Sequence, residues 1–173
     1  MKFSITPSPS GTHVAKNGRR VNIAPAENGK DYESEAAFLA AMGIQPHSLF
    51  VAKQTSIAEL QQTHEKSLRN GITPDGVTFA LPAEIEWQNK FTGMVTLIQT
   101  ALLAASNKAG RDAILAMPSV IPDKSGVIHP ITNQDLLSLL SSYGQKIQAK
   151  EVSLATKQAE IAAAATIADL EPK

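Results

Sequence analysis

The sequence has no cysteine, few aromatic residues and no net charge, and each of these shortages excludes a class of protein. Without cysteine the chain cannot form a disulfide framework, a zinc-finger site or a thiol nucleophile. The 16 basic residues balance the 16 acidic residues, so no summed positive field attracts nucleic acid or an anionic membrane. Aromatic residues make up only 5% of the chain, against 43% hydrophobic residues in total. This predicts a core of aliphatic and alanine side chains, which suits closely packed helices.

Long hydrophobic runs are also lacking. The most apolar window, Met94 to Ala105, is interrupted by polar side chains and is shorter than the roughly 20 residues of a membrane-spanning helix. The first residues, Met1 to Pro7, have no continuous apolar segment typical of a signal peptide. We therefore expect a protein with no membrane partner, made in a bacterial-type cytosol.

The first third of the chain carries turn and strand signals. The dipeptide Asn17-Gly18, between two short strand-like segments, predicts a two-residue type I′ hairpin. A short helix is predicted between Ser34, its N-cap, and Gly43, its terminating glycine. The apolar run 49–52 that follows is interpreted as a strand.

A helical period begins at Ser56, which forms a capping-box pattern with Glu59, and this helix is predicted to end at Gly71. Asp75-Gly76 then predicts the turn of a tight hairpin, because glycine supplies the positive φ angle that such a turn requires.

Two long helices carry the clearest hydrophobic patterns. The first follows Pro82 and buries a stripe of side chains spaced three or four residues apart. A Pro/Gly-rich connection with a small hairpin around residues 123–126 leads to the second helix, which Thr132 caps. The stripe of the first helix consists of Trp87, Phe91, Met94, Ile98, Leu102 and Ala105.

The last helix is predicted to run to Leu170 and has a seven-residue hydrophobic repeat that narrows after Lys150. We interpret its first half as packed against the Trp87 helix and its second half as projecting beyond that helix. Its alanines allow close approach of another helix but bury little area each, so a protein partner, self-association and intramolecular packing all remain open there. The predicted protein-interaction residues are Leu154, Ile161, Ala165 and Ala168.

These patterns together predict an α+β fold. It contains a small N-terminal β-hairpin region, then a helical hairpin or bundle with short β-hairpin insertions and a long C-terminal helix. The change of period divides the chain into a β-rich attachment region, residues 1–55, and a mainly helical domain, residues 56–173.

Residues with catalytic or metal-binding chemistry are dispersed along the chain. The histidines lie in four different segments without a partner at ligand spacing, and no phosphate-binding glycine loop is present. The pairs Glu84/Glu86 and Glu33/Glu35 are interpreted as helix-start charges, because residues two apart on a helix point in different directions. We therefore predict no catalytic, cofactor-binding or metal-binding residues. The four histidines are His13, His47, His64 and His129.

The basic cluster Lys16, Arg19 and Arg20 lies on the predicted hairpin. It has no interleaved aromatic side chain for stacking on bases, so we interpret it as a solvated surface and expect no nucleic-acid partner. Trp87 is assigned to the core and not to a ligand platform, because it lies in the buried stripe of its helix.

The segment Glu65–Phe79, followed by Trp87–Gly93 and an Ala-rich helix, resembles a helical domain family of tail and tail-fibre-associated proteins of tailed bacteriophages. In that family an arginine-bearing helix ends at a glycine, a short hairpin centred on Asp-Gly follows, and the next helix carries a Gln-x-x-x-(Thr/Ser)-Gly pattern. A tryptophan common in the family's second hairpin region is absent from residues 117–120. The resemblance covers about 56–168, and the matching residues are Arg69, Gly71, Gly76, Gln88 and Gly93.

The resemblance implies a non-enzymatic structural protein of the virion, placed in the tail tip, baseplate or tail-fibre region. Its partners would be other tail or fibre proteins, and a homo-oligomer is compatible with this role. The alternative function is a tail-fibre assembly chaperone that is made in the host cytoplasm and does not stay in the mature virion. A hydrolase acting on cell-wall glycan would need two converging carboxylates, which the sequence does not place together.

Overall fold

The computed structural model describes residues 1–170, and its alternation of helices with two small antiparallel sheets confirms the α+β class. The chain divides into two compact units. The first contains Met1–Glu59 together with the chain from Gln158 onward, and the second contains Leu60–Lys157. The end of the chain therefore groups with the N-terminal third, unlike the division into residues 1–55 and 56–173.

The first unit contains a four-stranded antiparallel sheet with the strand order β1-β3-β2-β4. β3 pairs with both β1 and β2, while β4 completes the sheet beside β2. The strands are β1 (Phe3–Pro7), β2 (His13–Val14), β3 (Arg20–Pro25) and β4 (Gln45–Pro46).

The connection between β2 and β3 is a hairpin, but its turn differs from the predicted type. Gly18 N donates to Ala15 O at 2.8 Å and Ala15 N donates to Arg19 O at 3.0 Å, which closes a three-residue loop. Gly18 has a φ of 78°, whereas Asn17 is not among the residues with positive φ. The prediction of a two-residue type I′ turn is therefore wrong, because a type I turn followed by a glycine bulge needs only one left-handed residue.

The first helix, α1 (Glu35–Met42), begins and ends as predicted. Ser34 Oγ accepts a hydrogen bond from Ala37 N at 3.2 Å, and Gly43 ends the helix with a φ of 64°. Phe38 is the buried residue of this helix and contributes to the core of the first unit.

The second helix, α2 (His47–Arg69), starts earlier than predicted. The run 49–52 is helical and not a strand, and Ser56 lies inside the helix. The apolar run was misread because Leu49 is buried in the first unit, so its pattern reports burial and not a strand period. The predicted end is confirmed, since Gly71 has a φ of 79°.

The segment after α2 is a loop closed by one bridge, not the predicted hairpin. Ile72 and Leu81 exchange backbone hydrogen bonds of 2.9 and 2.8 Å, and this bridge stands alone. Asp75 N donates to Ser142 Oγ at 2.9 Å, and the Asp75 carboxylate lies 2.6 Å from Lys146 Nζ. The middle of the loop is therefore bonded to the last helix, so it cannot pair across a hairpin.

The chain after this loop contains the two predicted long helices, the predicted small hairpin and one helix that the sequence patterns did not reveal. That helix is α4, and Asn107 caps it by accepting a hydrogen bond from Gly110 N at 2.8 Å. The elements are α3 (Ile85–Ala104), α4 (Lys108–Ala116), β5 (Pro118–Pro122), β6 (Ile128–Thr132) and α5 (Asn133–Ala163).

The core of the second unit is mostly aliphatic, as the low aromatic content predicted. Leu81, Ile121 and Leu136 are completely buried in it. The Phe91 and Tyr143 rings meet edge to face at 5.3 Å and join α3 to the first half of α5. This confirms the predicted packing of the two long helices.

Helix α5 ends at Ala163, so the prediction that it continues to Leu170 is wrong. Ala165 and Ala168 consequently lie beyond the helix. Asp169 gives the reason, because its carboxylate accepts hydrogen bonds from the backbone N of Ala165 at 3.1 Å and of Thr166 at 2.7 Å. Those backbone groups are bonded to a side chain and not to carbonyls of the preceding turn.

Candidate functional site

The structure pairs two histidines with carboxylates, although the sequence indicated no partner for them. His64 Nε2 on α2 lies 3.0 Å from Glu151 Oε1 on α5, and His129 Nε2 lies 2.9 Å from Asp123 Oδ2. The first pair was invisible in the sequence because 87 residues separate its members. Within residues 1–170, no three histidine or carboxylate side chains are grouped so that they could hold a metal ion.

The Asp123 and His129 pair shapes the hairpin of β5 and β6. Asp123 Oδ1 accepts hydrogen bonds from Ser125 N at 2.8 Å, Ser125 Oγ at 2.6 Å and Val127 N at 3.0 Å. The bonds from His129 and Ser125 hold the pKa of Asp123 well below its ordinary value. The His129 ring also stacks on Phe79 with centroids 3.8 Å apart. Both carboxylate oxygens of Asp123 are thus bonded within the hairpin and fix its turn.

The acidic residues that were considered as an acid/base pair lie at helix starts. Glu86 is in the first turn of α3, and its Oε1 accepts from Lys90 Nζ at 2.7 Å. That bond lowers the pKa of Glu86. Glu84 occupies the N-cap position of α3, and Glu35 is in the first turn of α1. These positions agree with stabilisation of the helix N-terminus by negative charge.

The basic cluster lies on the β2–β3 hairpin as predicted, and Arg20 is bonded to neighbouring parts of the first unit. Its Nη2 lies 3.0 Å from His47 Nε2, and its Nη1 donates to Pro9 O at 3.3 Å. The Arg20 guanidinium therefore connects the hairpin to the start of α2.

Three of the five residues that carry the resemblance to phage tail proteins, Gly71, Gly76 and Gln88, fix the path of the backbone. Gly71 and Gly76 have φ angles of 79° and 81°, which favour glycine. Gln88 Nε2 donates to Ala83 O at 2.8 Å, immediately before α3. Arg69 makes an exposed ion pair within its own helix. Gly71, Gly76 and Gln88 thus define turns and the start of a helix, whereas Gly93 lies inside α3.

The predicted interaction line on α5 is partly covered by the protein itself. Leu154 and Ile161 are both half-buried. Leu154 lines a groove of about 160 Å³ with Leu60 of α2, and nearby Lys150 Nζ donates to Ser67 Oγ at 2.6 Å. The α5 surface around Leu154 is thus partly covered by α2, which is the intramolecular packing that was one of the open alternatives. The interaction role of the line stays a prediction.

A different surface of the second unit carries no charge. A groove of about 400 Å³ lies between α3 and α5, and we call it the neutral groove. Gly144 in its wall has no other atom within 4 Å of the position of a Cβ, so the groove is open there. The neutral groove is lined by Gln88, Phe91, Thr92, Val95, Thr96 and Gln99 of α3 and by Leu140, Tyr143, Gly144, Ile147 and Gln148 of α5.

The α3 side of the groove continues at both ends into exposed apolar side chains. Ile85 is 70% exposed and Leu103 is 85% exposed. The two residues point in the same direction, because the 18 positions between them make about five helical turns. We call this line the neutral stripe, and it consists of Ile85, Gln88, Thr92, Thr96, Gln99 and Leu103.

The hydroxyl groups on this surface bond within α3. Thr92 Oγ1 donates to Gln88 O at 2.9 Å, Thr96 Oγ1 to Thr92 O at 2.9 Å, and Thr100 Oγ1 to Thr96 O at 2.8 Å. The donors of these threonines are therefore satisfied inside the helix. A partner could cover them without leaving a hydroxyl proton unbonded.

Tyr143 forms part of the floor of the neutral groove. Its hydroxyl donates to Pro82 O at 2.7 Å, and burial, together with the charge of Glu84, raises the pKa of Tyr143 to about 12. The phenol stays neutral at physiological pH and holds α5 against the segment before α3. The groove is therefore a fixed, uncharged surface.

No family model, curated protein or solved structure matches the chain. Among the described residues, no helix is both long enough and apolar enough to cross a membrane. The neutral surface and the resemblance carried by the α2–α3 segment are the features of the chain that bear on its function.

Proposed function

We propose that the protein is a non-enzymatic structural component of a tailed-phage virion that attaches tail proteins to one another through apolar packing. Its place would be the tail tip, the baseplate or the tail-fibre region. The resemblance from Glu65 to Gly93 supports the phage context, and the neutral stripe with its groove supports attachment to protein.

The observation that carries the proposal is the absence of charge on an exposed helix surface. From Phe91 to Asn107 the sequence has no acidic, basic or histidine residue, although 18% of the whole chain is charged. Much of that run is exposed, including Leu97 and Leu103. Depletion of charge is the compositional mark of the centre of a protein interface, and exposed apolar patches mark interaction sites.

The content of purified virions tests the proposal. Quantitative mass spectrometry of particles from the phage that encodes the chain should detect it at a fixed ratio to the other tail proteins. A parallel measurement on the infected-cell lysate provides the control for expression. Presence in the lysate with absence from particles would contradict the structural role.

Affinity purification from the lysate distinguishes the structural role from the alternative function, a tail-fibre assembly chaperone. An assembly chaperone would co-purify with unassembled fibre protein and be missing from mature particles. Copy number in the particle would further indicate the symmetry of the site.

A further inference from the structure

The neutral stripe has nearly the same order of side chains when it is read from either end. From its N-terminal end it runs apolar, glutamine, threonine, threonine, glutamine, apolar. Ile85 and Leu103 at the ends, and Thr92 and Thr96 in the middle, are symmetric about the level of Met94. The two glutamines depart from this symmetry by one residue. The stripe is thus close to a palindrome.

We propose that the neutral stripe is the interface of a symmetric dimer, in which α3 packs antiparallel against α3 of a second copy of this chain. The inference rests on the proposed attachment role of this surface and names one of its partners. In a two-fold interface, residue i meets residue j and residue j meets residue i. Ile85 then packs on Leu103 of the second copy, and Thr92 packs on Thr96.

The polar groups of the stripe are compatible with burial in this pairing. Gln88 Nε2 already donates to Ala83 O, so the Oε1 atom of Gln88 is left as the acceptor. Gln99 of the second copy lies at nearly the same level and supplies an amide donor. The threonine hydroxyls bond within their own helix. No charged group needs to lose its water, so the two neutral surfaces match in charge.

The antiparallel orientation follows from the helix ends. A parallel pair would place the positive end of one α3 macrodipole beside the positive end of the other, whereas an antiparallel pair opposes the two dipoles.

The size of the surface indicates a dimer of moderate strength. At about 1.5 Å per residue the stripe is about 27 Å long. The stripe and the α5 wall of the neutral groove together span two neighbouring helices, each about 10 Å in diameter, so this surface is roughly 20 Å wide and has an area of roughly 500 Å² on each copy. The total of about 1,000 Å² is near the lower limit for a specific interface, so the dimer should form in a concentration-dependent way.

Sedimentation equilibrium of the full chain, over about a hundredfold range of micromolar concentrations, tests the proposal. Thr92→Glu and Thr96→Lys should each weaken the dimer about tenfold or more, because each places an unpaired charge in the interface. Mixing the two variants should restore association, because the glutamate of one copy then faces the lysine of the other. Leu97→Lys is the matched control, since Leu97 is 73% exposed but points away from the stripe. It should bind like the wild type.

Three results would overturn the proposal. They are a monomer at every concentration, equal weakening by the Leu97→Lys control, and failure of the charge-swapped mixture to associate. Circular dichroism of each variant confirms that α3 remains folded, so weakened association reports the interface and not unfolding.

Cross-linking tests the orientation. Because the chain has no cysteine, a single-cysteine variant carries no background thiol. A mixture of Ile85→Cys and Leu103→Cys chains should cross-link through a bismaleimide whose spacer is shorter than half the length of the neutral stripe. Ile85→Cys chains alone should not, because the two thiols would lie about 27 Å apart along the paired helices. Cross-linking between Ile85→Cys chains would indicate a parallel pair and overturn the proposal.

These outcomes are separable from those of the proposed function. A monomeric chain that is found in virions overturns the dimer and leaves the attachment role intact. A dimer of the expected orientation that is missing from virions supports this inference and contradicts the structural role.

Discussion

Replacement of Gly71 by alanine should destabilise the second unit through contact with a carbonyl oxygen that cannot move away. Gly71 ends α2 with a φ of 79°, and a Cβ there would lie 2.7 Å from Leu81 O and 3.1 Å from the Ala80 Cβ. Leu81 O accepts the hydrogen bond of Ile72 N at 2.9 Å. The carbonyl can therefore withdraw only by weakening the single bridge that closes the loop.

Gly76→Ala provides a matched control. Gly76 has a φ of 81°, yet no atom lies within 4 Å of the position of its Cβ. Both substitutions impose a left-handed alanine, which costs about 1 to 2 kcal/mol. Only Gly71→Ala also disturbs the bridge, and a lost buried hydrogen bond adds about 1 to 3 kcal/mol. The lower entropy of unfolded alanine affects both variants alike and cancels in the comparison.

The two variants should therefore differ in free energy of unfolding by about 2 kcal/mol, which corresponds to roughly 4 to 8 °C in Tm for a chain of this size. Urea denaturation followed by circular dichroism measures the difference, and equal m-values would show that the unfolded states are comparable. Equal losses of stability in the two variants would refute the argument from the Leu81 carbonyl.

Three further substitutions test other features of the structure. Asp123→Asn should reduce the loss of Tm between about pH 5 and pH 2. The lowered pKa of the Asp123 carboxyl stabilises the fold above about pH 4, and this contribution is lost on acidification. The same dependence of Tm on pH in the variant and the wild type would contradict this. Tyr143→Phe should cost about 1 to 2 kcal/mol in urea denaturation, by leaving a buried carbonyl unbonded. It should also remove the loss of stability that the wild type shows as pH rises from about 10 towards 12, since the folded-state pKa is raised to about 12. The double variant Leu154→Asp, Ile161→Asp should lower Tm more than the control Val152→Asp, because Leu154 and Ile161 are half-buried and Val152 is exposed. An unchanged Tm of the double variant together with loss of tail assembly would instead support the predicted interaction role.

Features encoded by neighbouring residues could be predicted from the sequence. Helix α1 was predicted correctly because Ser34 and Gly43 act within a few residues of the ends that they define. Helix α4 carries a similar signal in Asn107, but its nine residues make only about two and a half turns, which is short for a helical period to be recognised. The start of α2 was missed for a different reason: the run 49–52 is apolar at every position and so shows no helical period, although Leu49 is buried and Val51 is exposed.

The hydrophobic pattern of a single helix does not predict which of its surfaces the rest of the fold covers, and both long helices show this. On α5 the repeated apolar line suggested an uncovered edge, but α2 lies beside it through bonds such as that of Lys150 with Ser67, 83 residues apart. On α3 the predicted buried stripe packs on the core, and apolar side chains outside that stripe, such as Ile85 and Leu97, are exposed. The fold covers one side of α3 with its core and leaves the Ile85–Leu103 line exposed. A helix that is covered by the core on one side and uncharged along an exposed line has a surface that a partner can bury, and a second copy with the reversed order of side chains fits it.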